Sequence, residues 1–126
     1  MNDPIADMLI RIKNGYKAGK KTVEFPHSNL LEKISLILAE NGYIKDVKTE
    51  KKGNKTFIRT TLCETPPFET VERISKLGRR VYVDKNKIPR VLSGLGKAII
   101  STPRGLMTGE KAKRQGLGGE LMFKIY

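Results

Sequence analysis

The sequence holds no tryptophan, one cysteine and one histidine among its 126 residues, and each scarcity removes a class of chemistry. Cys63 alone cannot form an internal disulfide or a multi-thiolate metal site, which suits a reducing compartment. His27 lacks a second histidine to complete a metal set, so it reads as a solvated loop residue at a helix entrance. No apolar run approaches the roughly 20 residues of a membrane span. Asn2, Asp3 and Pro4 stand where a secretory leader would carry basic residues, so the expectation is a cytoplasmic chain with no membrane partner. Nucleophile elbows of the G-x-S-x-G kind are missing, and Gly94-Leu95-Gly96-Lys97 lacks the flanking glycine and hydroxyl of a Walker loop. Carboxylates after residue 72 are limited to Asp84, Glu110 and Glu120, and nothing in the spacing makes two of them meet for acid–base work. Neither an enzyme, a metal, a cofactor nor a small-molecule substrate is expected.

What the chain does have is positive charge. Lys and Arg number 25 against 13 Asp and Glu, a net charge of +12 and a pI near 10.0. A polyanion is the partner that best tolerates such self-repulsion, so nucleic acid leads. The charge is uneven: residues 1–72 hold 12 basic and 10 acidic groups, residues 73–126 hold 13 and 3. The basic part is not a disordered tail, because Val81, Val83, Val91, Leu92, Ile99, Ile100, Leu121, Phe123 and Ile125 run through it and need burial. A second basic stretch, Arg11, Lys13, Lys17, Lys20 and Lys21, contains no acid.

Periodicity predicts an α+β protein of two small domains. The first, residues 1–64, reads α-β-α-β-β. Asp3-Pro4 opens a helix over about 4–18 whose stripe is Ile5, Met8, Leu9, Ile12 and Tyr16, leaving Arg11, Asn14 and Lys17 outside. A short strand follows over Thr22 to Phe25. A second helix is capped by Ser28 or Asn29, with Glu32 placed for a capping box, and ends at Asn41-Gly42. Tyr43–Glu50 and Lys55–Leu62 form a hairpin. Glu64-Thr65-Pro66-Pro67 is the linker, because its prolines interrupt any sheet. Residues 65–126 read as a mostly β unit: Val71–Ser75 and Arg80–Val83 about a Leu77-Gly78 turn, a helical turn at 88–92, strands at Lys97–Ser101 and Glu120–Tyr126, and a short helix from Thr108 to Arg114.

The informative segment is Ile99 to Thr108. A strand delivers Ser101 and Thr102, then Arg104 and Gly105, into a turn where hydroxyls, amides and a cation meet a ligand at close range. The same hydroxyls can instead cap the turn's own amides. Glycines 116, 118 and 119 permit close approach or a tight turn. Glu120 can organise a guanidinium, accept from a base edge or sugar, or form a plain salt bridge.

At these residues the sequence resembles the family of small-subunit ribosomal protein number eight, of the bacterial type. The resemblance covers essentially the whole chain. It is carried by Asp3-Pro4-Ile5-Ala6-Asp7 with Arg11-Ile12 and Asn14, Asn41-Gly42-Tyr43-Ile44, Arg73-Ile74-Ser75, Arg80-Val81-Tyr82-Val83 and Val91-Leu92-Ser93-Gly94-Leu95-Gly96. Most specific are Ser101-Thr102-Pro103-Arg104-Gly105, Met107-Thr108 and Gly118-Gly119-Glu120. The resemblance implies a two-domain RNA-binding protein of the ribosome. Its RNA is the central domain of small-subunit ribosomal RNA, its neighbours include ribosomal protein number five, and in many bacteria the family represses its own messenger. It places Ser101 and Thr102 against splayed bases, with Tyr82 and Glu120 flanking. The chain departs from the family pattern at Pro103, where a second serine is usual, at Leu77 and Arg80, where proline and an apolar residue are commoner, and at Leu31, often lysine. Expected RNA-contacting residues are therefore Ser101, Thr102, Arg104, Gly105, Tyr82 and Glu120, with Arg11 and Asn14 as a second contact. A free-standing RNA chaperone or messenger repressor would use the same basic face, and a nucleic-acid-cleaving enzyme would need a metal or nucleophile.

Overall fold

The computed structural model describes residues 3–126; Asn2, read with Asp3 and Pro4 as lacking a leader's charge, lies outside them. Asp3 accepts from the Ala6 amide at 3.2 Å and Pro4 fills the first helical turn, where no backbone donor is lost. Helix α1 (Pro4–Lys17) buries Ile5, Met8, Leu9 and Ile12, with Tyr16 half-buried at the end of the stripe and Arg11, Asn14 and Lys17 exposed. After β1 (Thr22–Pro26), helix α2 (Asn29–Glu40) is capped by Ser28, whose Oγ accepts from the Leu31 amide at 3.1 Å. The expected capping box does not form. Glu32 instead meets His27 Nε2 at 3.3 Å and accepts from the Thr49 hydroxyl at 2.9 Å. His27 is thus a half-buried partner of Glu32, not a solvated loop residue.

Strands β2 (Asp46–Lys52) and β3 (Lys55–Thr61) form a hairpin about Gly53-Asn54, and the antiparallel order is β1-β3-β2. β2 begins later than alternation suggests, because Tyr43 and Ile44 are buried in the turn after α2 instead of joining the ladder. Helices α1 and α2 touch each other and pack on β1 and β2 respectively. Tyr16 fastens this unit: its hydroxyl donates to the Tyr43 carbonyl at 2.7 Å and accepts from the Cys63 amide at 3.1 Å. Burial of the phenol pushes its pKa up to about 12.

This first compact unit ends at Pro67, and a second runs from Phe68 to Tyr126. The second contains β4 (Val71–Arg73), β5 (Tyr82–Val83), a 3-10 turn (Val91–Gly94), β6 (Lys97–Thr102), β7 (Gly105–Thr108), α3 (Gly109–Arg114) and β8 (Gly119–Ile125). Its antiparallel order is β4-β8-β6-β7, and β5 also pairs with β8. The hairpin expected about Leu77-Gly78 shrinks to one Lys76–Arg79 bridge. β4 and β5 pair with different stretches of β8, Val71 opposite Ile125 and Tyr82 opposite Glu120. β4 and β5 thus each join the ladder of β8 instead of pairing with each other.

The helical turn read at 88–92 lies later, at Val91–Gly94, with Arg90 before it extended. Leu92 and Ser93 there adopt left-handed φ of 45° and 54°. Along β8 the simple alternation fails at Met122, which is buried beside Phe123. A register shift between Ile99 and Ile100 places Phe123 opposite Ile99 and Leu121 opposite Ile100, so Met122 is the extra residue of a bulge. Ile88, Val91, Ala98, Ile100, Met107, Ala112 and Leu121 form one core cluster, with α3 against β6 and β7, while Ile99, Phe123 and Ile125 are buried as well. β7 was not expected from sequence, where residues 105–108 read as loop.

Candidate nucleic-acid interface

Cross-strand pairing assembles a row that no linear spacing shows. Tyr82 in β5 stands opposite Glu120 in β8, Glu120 opposite Ser101 in β6, and Ser101 opposite Leu106 in β7. Directly paired residues project to the same face of a sheet, so Tyr82, Glu120 and Ser101 share one. Tyr82 is 71% exposed. Gly119 is required here: a Cβ on it would overlap the Ser101 carbonyl oxygen, so any side chain would push β6 from β8.

The row ends at the β6–β7 turn, Pro103-Arg104, with Thr102 opposite Gly105. Thr102 Oγ1 donates to the Gly105 carbonyl at 2.8 Å and accepts from the Arg104 amide at 3.1 Å. Its hydroxyl therefore caps its own turn. Arg104 and Gly105 are exposed at the tip, and Gly105 has φ of 109°, a conformation that side chains rarely adopt. Ser101 is half-buried.

Glu120 is a hub. Its Oε2 accepts from the Ser75 hydroxyl and from Arg80 Nη1 at 2.9 Å. Burial alone would raise its pKa, but the Ser75 hydroxyl and the Arg80 and Arg73 guanidinium groups overcome that and hold the carboxyl below its usual value. Of the three readings left open for Glu120, its contacts fill two: it organises the Arg80 guanidinium and forms a salt bridge with it. Ser75 and Arg80 lie 45 and 40 residues from it in sequence, and neither figured among the expected site residues. Their signal lies in the pairing of β5 with β8, which periodicity cannot give.

Arg11 and Asn14 belong to the first unit. Both are exposed on α1 and line a groove of about 380 Å³ with Ala18, Lys20, Thr22 and Glu24. Arg11 is more engaged than an outward-facing cation: Nε meets Asp7 at 3.1 Å and Nη1 donates to the Glu24 carbonyl at 3.1 Å, tying α1 to β1. Among the described residues no three His, Cys, Asp or Glu side chains gather to hold a metal, and no helix is long and apolar enough to cross a membrane.

Residues 3–126 match the family model for ribosomal protein S8. The chain belongs to the ribosomal protein S8 family. It is 48% identical over 130 residues to a protein of Syntrophomonas wolfei, covering 100% of this chain and 98% of the relative. It is 46% identical to one from Dictyoglomus turgidum, again over 100% and 98%, and 45% identical to one from Burkholderia lata over 99% and 98%. All three relatives are named small ribosomal subunit protein uS8. Membership of the S8 family makes this a ribosomal protein and not an enzyme.

Proposed function

We propose that this S8-family chain is a structural constituent of the small ribosomal subunit, in the cytoplasm, and binds the subunit's ribosomal RNA directly through its second unit. The observation that carries the reading is the Tyr82–Glu120–Ser101 row, ending at the Arg104-Gly105 tip, in the part of the chain with 13 basic and 3 acidic residues. Side chains cannot read the deep groove of A-form RNA, so specific recognition takes irregular or splayed bases, stacked on aromatic rings and met at their edges by short polar groups. An exposed tyrosine beside a serine and an exposed backbone turn suits that target. Tyr82 supplies a stacking face, Ser101 and the Gly105 backbone supply sugar or edge contacts, and Arg104 a phosphate contact. Thr102 contributes by bracing the turn, and Glu120 by holding the Tyr82 strand. Arg11 and Asn14 offer the second, weaker contact.

The finer reading is that the RNA is the central domain of the subunit, that ribosomal protein number five is a neighbour, and that a similar fold in the chain's own messenger competes for the same row. The test is filter binding of the purified chain to small-subunit ribosomal RNA. Tyr82→Ala should weaken binding by about 1–3 kcal/mol. With about four to six phosphates engaged, the log–log salt slope should lie near −3 to −5. A slope near zero, or unchanged binding by Tyr82→Ala, would overturn the assignment.

A further inference from the structure

β5 pairs with β8 over two residues only, Tyr82 opposite Glu120 and Val83 opposite Gly119. So short a ladder is a poor anchor for a large exposed ring, which would lose orientational freedom each time a base stacked on it. Beside the backbone bonds that the Ser75 amide and the Val81 carbonyl make to β8, a single carboxylate oxygen ties down the approach to β5. Glu120 Oε2 receives the Ser75 hydroxyl and Arg80 Nη1 at 2.9 Å, gathering both ends of the 75–80 segment. Ser75 is fully buried, and its oxygen accepts the Val81 amide at 3.3 Å while its proton goes to the carboxylate. The Val81 carbonyl in turn accepts from the Leu121 amide at 2.9 Å. Between them the Lys76–Arg79 bridge closes the tip. Arg80 is thus tied to the carboxylate opposite Tyr82, two positions before it in the chain.

We propose that Arg80 is a positioning residue for RNA recognition: through Glu120, and together with Ser75, it holds Tyr82 in the orientation in which a base stacks on it. This rests on the stacking role proposed for Tyr82. Glu120 works from within the sheet and does not itself accept from a base.

The test uses the full chain and a transcript of small-subunit ribosomal RNA, with Tyr82→Ala, Arg80→Met, Arg80→Lys and the double variant Arg80→Met/Tyr82→Ala. Tyr82→Ala and Arg80→Met should each weaken binding about fivefold or more. Arg80→Lys should recover most of the loss. In the Tyr82→Ala background Arg80→Met should change the Kd by less than about twofold, since its effect passes through the ring. The salt slope of Arg80→Met should equal that of the wild type. Amide exchange at Leu121 should quicken in Arg80→Met while the β6–β8 amides keep their protection. Arg80→Met that binds like the wild type, loses the same factor in both backgrounds, or lowers the slope by about 1 as a direct phosphate contact does, overturns the positioning role. Wild-type binding by Tyr82→Ala would instead overturn the stacking role on which the proposal rests.

Discussion

Replacing Thr102 by valine should loosen the β6–β7 turn without touching the charge. Valine keeps the branched shape but loses two bonds, Oγ1 to the Gly105 carbonyl at 2.8 Å and the Arg104 amide to Oγ1 at 3.1 Å. Gly105 and Arg104 are exposed, so water takes over the freed groups and each bond counts for about 0.5–1 kcal/mol. The sum, about 1–2 kcal/mol, should lower the Tm by roughly 4–16 °C if the second unit melts by itself. RNA affinity should fall as well, because a turn without its internal brace has more freedom to lose on binding, while the salt slope stays unchanged because no phosphate contact is removed. Thr102→Ser keeps the hydroxyl and should melt and bind close to wild type. Calorimetry and filter binding over a salt series check both. If Thr102→Val melted like the wild type yet bound tenfold more weakly, the hydroxyl would belong to the RNA and the capping argument would be wrong.

In the first unit, Tyr16→Phe leaves the Cys63 amide and the Tyr43 carbonyl without this partner and should cost about 1–3 kcal/mol in urea unfolding. The raised phenol pKa gives a pH signature: its stabilisation is complete below the ordinary value of 10.0 and is lost as pH rises toward about 12. The wild type should therefore lose stability across that window more steeply than Tyr16→Phe; parallel alkaline curves would refute it. Leu9→Ala, at a site 4% exposed, should cost about 2–5 kcal/mol, whereas Leu36→Ala, at a site 47% exposed, should stay within about 1 kcal/mol. Gly119→Ala should cost about 1–3 kcal/mol by overpacking the Ser101 backbone, read by chemical denaturation.

The first unit was the more legible in sequence because its signals are local. Asp3-Pro4, the three-and-four spacing of Ile5, Met8, Leu9 and Ile12, and the Gly53-Asn54 turn each act within a few residues. Errors arose where distant groups compete. Glu32 could have closed a capping box with Asn29, but Ser28 caps the helix, which moves Glu32 past the third position and leaves its carboxylate to His27 and Thr49. Leu77-Gly78 could have closed a long hairpin, but both flanking strands pair with the distant β8 instead. The candidate site shows the same division. Ser101, Arg104 and Gly105 are readable because one turn holds them. That Tyr82 lies in the same row follows from β5–β8 register, and Ser75 enters only through a buried hydroxyl whose partner is 45 residues away.

Charge and recognition are separated in this arrangement. The second unit has few acids, and two of them are held by cations: Glu110 by Lys97 at 2.8 Å and Glu120 by Arg80 at 2.9 Å. The first pair is partly exposed, Lys97 24% and Glu110 58%, and adds little to stability. The second lies within the row, so the row between Tyr82 and Ser101 is close to neutral. The excess positive charge falls outside it, on exposed side chains such as Arg79, Lys85, Lys87 and Arg104. Phosphate contacts position an RNA and set salt dependence, whereas base contacts set specificity. Uncharged changes in the row, such as Ser101→Ala, should therefore discriminate less between RNAs at constant salt slope. Arg104→Ala should do the reverse, weakening all RNAs alike and reducing the slope by about 1. If Arg104→Ala altered the preference between RNAs and left the slope alone, the tip would be reading bases and this division of labour would fail.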